Sequence, residues 1–215
     1  MTAAPGISDD LCVMTSSRGE GPFYLASPFR QDIREDRKGK RLDLDIQLVK
    51  YPECTPIENA VIEIWSSDVD GTYSGYPEVG HNPWKFMRLL NFGKLKHVEP
   101  TNEAQFLRGA QITDADGNVS FTTIVPGWYE PRIPHIHFKV LVNEQEMVVG
   151  EFNFQQEFCD QLFTSHETYK KYGKSPYNFQ NDKTLEGITE GHGMVLNPKV
   201  KDAETVWASA KIGVA

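Results

Sequence analysis

Hydrophobic and polar residues alternate along this chain in short runs. Leu42, Leu44, Ile46 and Leu48 are separated by Asp43, Asp45 and Gln47. That period of two sends the apolar residues to one face of a half-buried strand. Residues 61–65 (VIEIW) read as a second strand. Residues 109–113 and 119–124 flank an Asp116-Gly117 pair, which predicts a hairpin. Residues 136–142 and 147–154 lie on either side of a polar turn at Asn143-Glu144, and residues 193–196 and 205–214 predict a last pair of strands. Helical spacing is confined to part of 155–172, where Phe158, Leu162 and Tyr169 stand among polar residues. The basic, apolar stretch 83–96 (PWKFMRLLNFGKLK) reads as a helix or a long loop. Many short strands with turn signals between them predict an all-β fold, a β-sandwich of mainly antiparallel strands with long loops and little helix. We expect an N-terminal extension over 1–19 and a single domain over 20–215, with 175–191 the loosest internal segment by composition.

Composition narrows the partners. A formal net charge of -8 disfavours nucleic acid and anionic membrane, because both select a basic face. No apolar run approaches the roughly 18 residues of a membrane span. The first residues carry neither a basic nor a long apolar region, so a cytoplasmic location is expected. Cys12, Cys54 and Cys159 show no metal-type spacing and are expected as reduced thiols; a Cys12–Cys54 bridge would require an oxidising compartment.

The candidate chemistry lies in TIVPGWYEPRIPHIHFKVLV, where Tyr129, Arg132, His135 and His137 fall within nine residues. Histidines at i and i+2 of a strand leave on the same face, with Cα atoms roughly 6.6–7 Å apart, so both imidazoles can reach one metal ion. Alone, such a pair is a weak signal, more often met by two histidines on a polar sheet face than by a metal site. A tyrosine source lies upstream in IWSSDVDGTYSGY, through Tyr73 or, failing that, Tyr76.

Four segments in order, EGPFYL (20–25), IWSSDVDGTYSGY (64–76), FLRGAQITDADGNVSFTTIVPGWY (106–129) and RIPHIHFKV (132–140), together resemble the intradiol ring-cleavage dioxygenases. The resemblance implies one Fe(III) per chain, held by Tyr73, Tyr129, His135 and His137. It implies O2-dependent opening of a catechol-type aromatic diol between its hydroxyl-bearing carbons. It gives Arg132 and Tyr129 catalytic roles and places Tyr24, Trp128, Arg132 and Glu151 at the substrate. It is compatible with a homo-oligomer. Two departures from the catechol and protocatechuate enzymes stand out. Only five residues separate Tyr129 from His135, as in a short-loop branch, and Glu151 falls where those enzymes carry glutamine. Arg108, Lys85 and Arg88 are candidate partners for a substrate carboxylate, or else solvated. Two alternatives from other classes are a metallo-hydrolase built on His135 and His137, and a non-catalytic transthyretin-like binding module.

Overall fold

The computed structural model describes residues 13–77, 82–90, 97–187 and 194–215. Among the described residues, ten strands form two sheets. The first sheet contains β1 (Arg41–Lys50), β2 (Thr55–Pro56), β5 (Asn118–Ile124), β9 (Lys199–Val200) and β10 (Thr205–Val214). Its order is β2-β1-β10-β9, with β5 also paired to β1. The second runs β4-β3-β6-β7-β8, built from β3 (Val61–Ser66), β4 (Arg108–Ile112), β6 (His135–Val142), β7 (Gln145–Phe154) and β8 (Val195–Leu196).

The core lies between the sheets. Leu42, Leu44, Ile46 and Leu48 of β1 meet Ile62 and Ile64 of β3 and Ile136, Phe138 and Val140 of β6 in one cluster of buried side chains. Alternation then dictates the other face of β6. With its even-numbered residues in the core, His135, His137 and Lys139 must stand on the outer face of the second sheet. They do not reach solvent there, because loops cover that face with a second cluster around Phe23, Trp65, Tyr73, Tyr76 and Tyr129.

Several expectations change. The turn signal predicts β4 and β5 as a hairpin, yet β4 pairs with β3 and β5 with β1, in different sheets. The Asp116-Gly117 turn is real: Asp114 accepts from the backbone N–H groups of Asp116 and Asn118, and Gly117 takes φ 73. It works as an arch from one sheet to the other, so that both strands bury apolar residues against one core. The last two strands also separate: β8 joins β7, whereas β10 lies parallel to β1 over ten residue pairs. The β6–β7 hairpin turns through Asn143 and Glu144, both at positive φ, as a two-residue hairpin requires. Helix α1 (Pro83–Leu89) occupies the first half of 83–96, with Trp84, Lys85 and Arg88 exposed; 91–96 lie outside the described residues. Helix α2 (Gln156–Ser165) falls within the stretch of helical spacing. Cys54 is disulfide-bonded, against the expectation of three reduced thiols, while Cys159 is buried and outside any disulfide and Cys12 lies outside the described residues. Among the described residues, no helix is long and apolar enough to cross a membrane.

Candidate metal centre

The register of the second sheet lines up a row of side chains. Trp65 on β3 sits opposite His137 on β6, and His137 sits opposite Glu151 on β7. Adjacent strands are about 4.8 Å apart, so these three side chains are neighbours on one face. Trp65 stacks on His137 with centroids 5.0 Å apart and planes 6° from parallel. The stack fixes the imidazole plane from behind.

Two loops supply the tyrosines. After β3 the chain makes a tight turn in which the Asp68 carboxylate accepts from the backbone N–H groups of Asp70 and Thr72. This turn aims Tyr73 inward. The fully buried Arg108 then clamps the same loop: Nε donates to Ser74 Oγ at 2.8 Å, and one terminal nitrogen donates to the carbonyls of Ser74 and Phe23, both at 2.9 Å. Arg108 is thus neither solvated nor directed at a substrate carboxylate. Tyr76 points elsewhere, its hydroxyl donating to the Tyr24 carbonyl at 3.1 Å. In the second loop, Tyr129 and Arg132 close a four-residue turn through two backbone hydrogen bonds of 3.2 and 2.5 Å. That turn is the structural content of the short spacing between Tyr129 and His135.

The result is a compact set of donors. The Tyr73 and Tyr129 hydroxyl oxygens are 3.4 Å apart, and each lies 3.2–3.3 Å from His135 Nε2. His135 Nδ1 donates to the Ile133 carbonyl at 2.7 Å, so Nε2 carries the lone pair and faces the tyrosines. His137 completes the group, its ring 4.8 Å from that of His135. Donor atoms separated by a little over 3 Å match ligands sharing one cation at bond lengths of about 2 Å. His137 Nδ1 is buried with no hydrogen-bond partner among the described residues, the mark of a site whose polar groups are not satisfied by protein alone. The residues present therefore fit a metal.

Burial sets the protonation of these groups. It lifts the Tyr129 hydroxyl to about 12, and burial together with the neighbouring Tyr129 oxygen lifts Tyr73 well above its ordinary value. The same desolvation, helped by the Arg132 charge, lowers His135 to about 4, and His137 is also depressed well below the usual imidazole value. Both imidazoles are neutral at pH 7 and ready to coordinate, whereas each tyrosine must release a proton first.

Arg132 and Glu151 adjoin the donors. Burial raises the Glu151 carboxyl, but the Arg132 charge and the two histidines overcome it and hold the group well below the usual carboxylate range. Arg132 pairs with Glu151 on one side and donates Nε to Asp182 Oδ2 at 3.0 Å on the other. One atom each from His135, His137 and Glu151 also falls within 4.8 Å, the spacing of a metal-binding trio. Glu151 is already committed to Arg132, however, and sits 3.6 Å from His137 Nδ1, beyond hydrogen-bond distance. The tyrosine oxygens are the better-placed anionic donors.

A cavity of about 450 Å³ opens onto this group through Tyr129, His137, Arg132 and Glu151, with Gly21, Pro22 and Pro131 as walls. Gly21 has φ 74, and a Cβ there would meet His137 Cε1 at 3.2 Å, so a side chain at this wall would crowd the imidazole. Tyr24 and Trp128 are not in the lining. Tyr24 packs behind Trp65, its hydroxyl 3.3 Å from Glu63, and Trp128 donates to the Gly173 carbonyl at 3.1 Å. A larger cavity of about 530 Å³ lies on the first sheet, but the carboxylates there, Asp43 and Asp45, are already engaged by Arg41, Lys201, Ser120 and Trp207. Sequence reasoning missed Trp65 and Asp182. The strand register signals the first. Nothing along the chain signals the second, because Asp182 looks like the cap of the short helical turn Lys183–Leu185.

No family model matches the chain. Among curated proteins it is similar to catechol 1,2-dioxygenase 1 of Acinetobacter lwoffii, 26% identical over 162 residues. The match covers 63% of this chain and 45% of that protein, so the chain spans under half the length of its curated relative. Among solved structures it is similar to an intradiol ring-cleavage dioxygenase from Tetranychus urticae, with a TM-score of 0.79, 27% identity and 94% and 95% of the two chains covered. It shares its fold with 3-chlorocatechol 1,2-dioxygenase from Rhodococcus opacus 1CP, at a TM-score of 0.58, 18% identity and coverage of 93% and 72%. The metallo-hydrolase and binding-module alternatives find no support in these relatives. Motif order, fold and relatives are all those of the intradiol ring-cleavage dioxygenases, the family to which this chain is similar.

Proposed function

We propose that the protein is a non-haem Fe(III) dioxygenase that opens a catechol-type ring between its two hydroxyl-bearing carbons. Both atoms of O2 enter the product, a cis,cis-muconate-type diacid, and one ring C–C bond breaks. The observation that carries this reading is the triangle of Tyr73, Tyr129 and His135 donor atoms, 3.2–3.4 Å on a side, joined by His137. One iron per chain would be held by these four residues. Phenolate donors favour the ferric state, which when bound supplies Lewis acidity and an electron sink to the coordinated diol.

The remaining chemistry belongs to the chain. Tyr129 and His137 are the two donors that line the cavity, so an incoming diol meets them first. The Tyr129 oxygen, when not bound to a metal, would be a strong base for a diol proton, since burial lifts its pKa to about 12. Arg132 lines the same cavity and is held rigid by Glu151 and Asp182, so its guanidinium can stabilise negative charge developing on the substrate without reorganising. A carboxylate beside an anionic diol would repel it if unpaired; pairing with Arg132 moderates that. Tyr24 and Trp128 act through packing in this reading, behind Trp65 and against Gly173.

Residues 20–215 are taken as one catalytic domain with 1–19 as an extension, and a homo-oligomer is to be sought by light scattering. The cytoplasmic location expected from the sequence stands against the Cys54 disulfide, because such bonds persist mainly in oxidising compartments. Iron-loaded protein should be red-brown from tyrosinate-to-ferric charge transfer, shift colour with catechol, and consume O2 with at least one member of a catechol panel. Iron-loaded protein that stays colourless would sink the proposal.

A further inference from the structure

Beside the metal donors, the charged side chains of the cavity floor do not balance one another. Arg132 brings one positive charge, and Glu151 and Asp182 bring two negative ones, which leaves a net of -1 on three buried side chains. The two carboxylates occupy two sides of the guanidinium: Nη2 is spent on Glu151 and Nε on Asp182. Asp182 is locked further by the backbone N–H of Ile133 at 3.1 Å and by the Thr184 hydroxyl at 2.7 Å, so it cannot swing away to free the arginine. Glu151 is the member that lines the cavity beside Tyr129 and His137. The other cation in the lining, Arg18, sits at the half-exposed rim, where its guanidinium donates to the carbonyls of Thr184 and Glu186. Water and salt screen a charge there far more than one on the floor.

We propose that Glu151 makes this pocket select against an anionic group on the reacting ring, so that the preferred substrates are catechols whose ring substituents are uncharged. The inference rests on the dioxygenase reading and deepens it. The physical basis is that Arg132, the cation on the cavity floor among the described residues, already shares its charge between two carboxylates, so a further full negative charge there goes uncompensated. A ring carboxylate would be desolvated next to a buried carboxylate whose counter-charge is already shared, and rejection by an unpaired like charge is an effective source of specificity. An uncharged group of the same shape meets no such penalty.

The test uses two diols of matched shape, 3,4-dihydroxybenzamide and 3,4-dihydroxybenzoate. Each is titrated anaerobically into the iron-loaded protein, and Kd is read from the shift of the charge-transfer band. The amide should bind at least about tenfold more tightly than the acid at neutral pH. The gap should persist in roughly 0.5 M salt, because a buried charge is screened little, whereas a preference arising from the net surface charge would collapse there. In Glu151→Gln the gap should shrink to within about threefold. Equal affinities in the native protein, or a gap that salt abolishes, would overturn the proposal. A gap unchanged in folded Glu151→Gln would overturn the assignment to that residue. If the variant does not fold, the native pair and the salt series still decide. Oxygen uptake is scored separately with uncharged catechols: its absence counts against the dioxygenase reading and leaves the binding gap measurable.

Discussion

Replacing Arg108 by methionine tests how the tyrosine loop is held. The side chain is fully buried, and burial lowers its guanidinium to about 10 from an ordinary 12.5. That difference corresponds to roughly 3 kcal/mol against keeping the group charged in place. In return Arg108 makes three hydrogen bonds, one to the Ser74 hydroxyl and two to the carbonyls of Ser74 and Phe23. Charge-assisted bonds of this kind contribute about 1.5–3 kcal/mol each, or roughly 6 kcal/mol together. Methionine fills much of the same volume and relieves the desolvation, but it withdraws the Arg108 donor from both carbonyls. The net loss should be about 3 kcal/mol, a fall in Tm of roughly 6–12 °C for a chain of this size. Scanning calorimetry of the metal-free protein reads that change. Because Ser74 adjoins Tyr73, metal affinity should also fall by at least about tenfold, as it does when groups that orient metal ligands are removed. A Tm within about 2 °C of the native value, with unaltered metal affinity, would show that the Tyr73 loop is positioned without this clamp.

Other outcomes follow from the same geometry. Tyr73→Phe and Tyr129→Phe should each weaken the charge-transfer absorption, and a variant that keeps the native spectrum would remove that tyrosine from the donor set. Metal loading at pH 7 should release about two protons per ion beyond the ion's own hydrolysis, one from each raised tyrosine; release of a single proton or none, read in a pH-stat, would contradict the assigned ligands. The signs are opposite for the imidazoles. His135 is depressed to about 4, so histidine protonation should not compete with the metal until the pH falls near that value, and tyrosine protonation should govern loss of affinity above it. Gly21→Val would strain a φ of 74 and crowd His137, so KM for a catechol should rise several-fold with a smaller change in kcat; unaltered kinetics would show that this wall yields.

Much of this architecture is legible along the chain, because alternation is a local signal. The leucines of β1 and the even-numbered residues of β6 announce which face is buried, and hence where His135 and His137 must stand. What alternation cannot announce is partner choice. The Asp116-Gly117 turn looks the same whether its strands pair with each other or part to opposite sheets, because that outcome depends on β1 and β3, some fifty to seventy residues earlier. The site divides along the same line. Tyr129, Arg132, His135 and His137 are neighbours in sequence, and their spacing alone groups them. Asp182 reaches Arg132 from fifty residues away, through a segment whose composition suggests only a surface loop. Arg108 carries no mark that separates a buried clamp from a solvated cation.

The pairing of β10 with β1 bears on how the chain is made. Strand β10 lies between β1 and β9 and matches β1 residue for residue from Arg41↔Thr205 to Lys50↔Val214. Until residues 205–214 have left the ribosome, one edge of β1 remains open, with Leu42, Leu44, Ile46 and Leu48 lacking part of their cover. The second sheet, which carries the site, needs only the chain up to Leu196. Synthesis would therefore deliver the histidine-bearing sheet before the first sheet can close. A nascent chain stalled in that interval exposes an unpaired strand beside an unfinished core, an arrangement that invites intermolecular pairing.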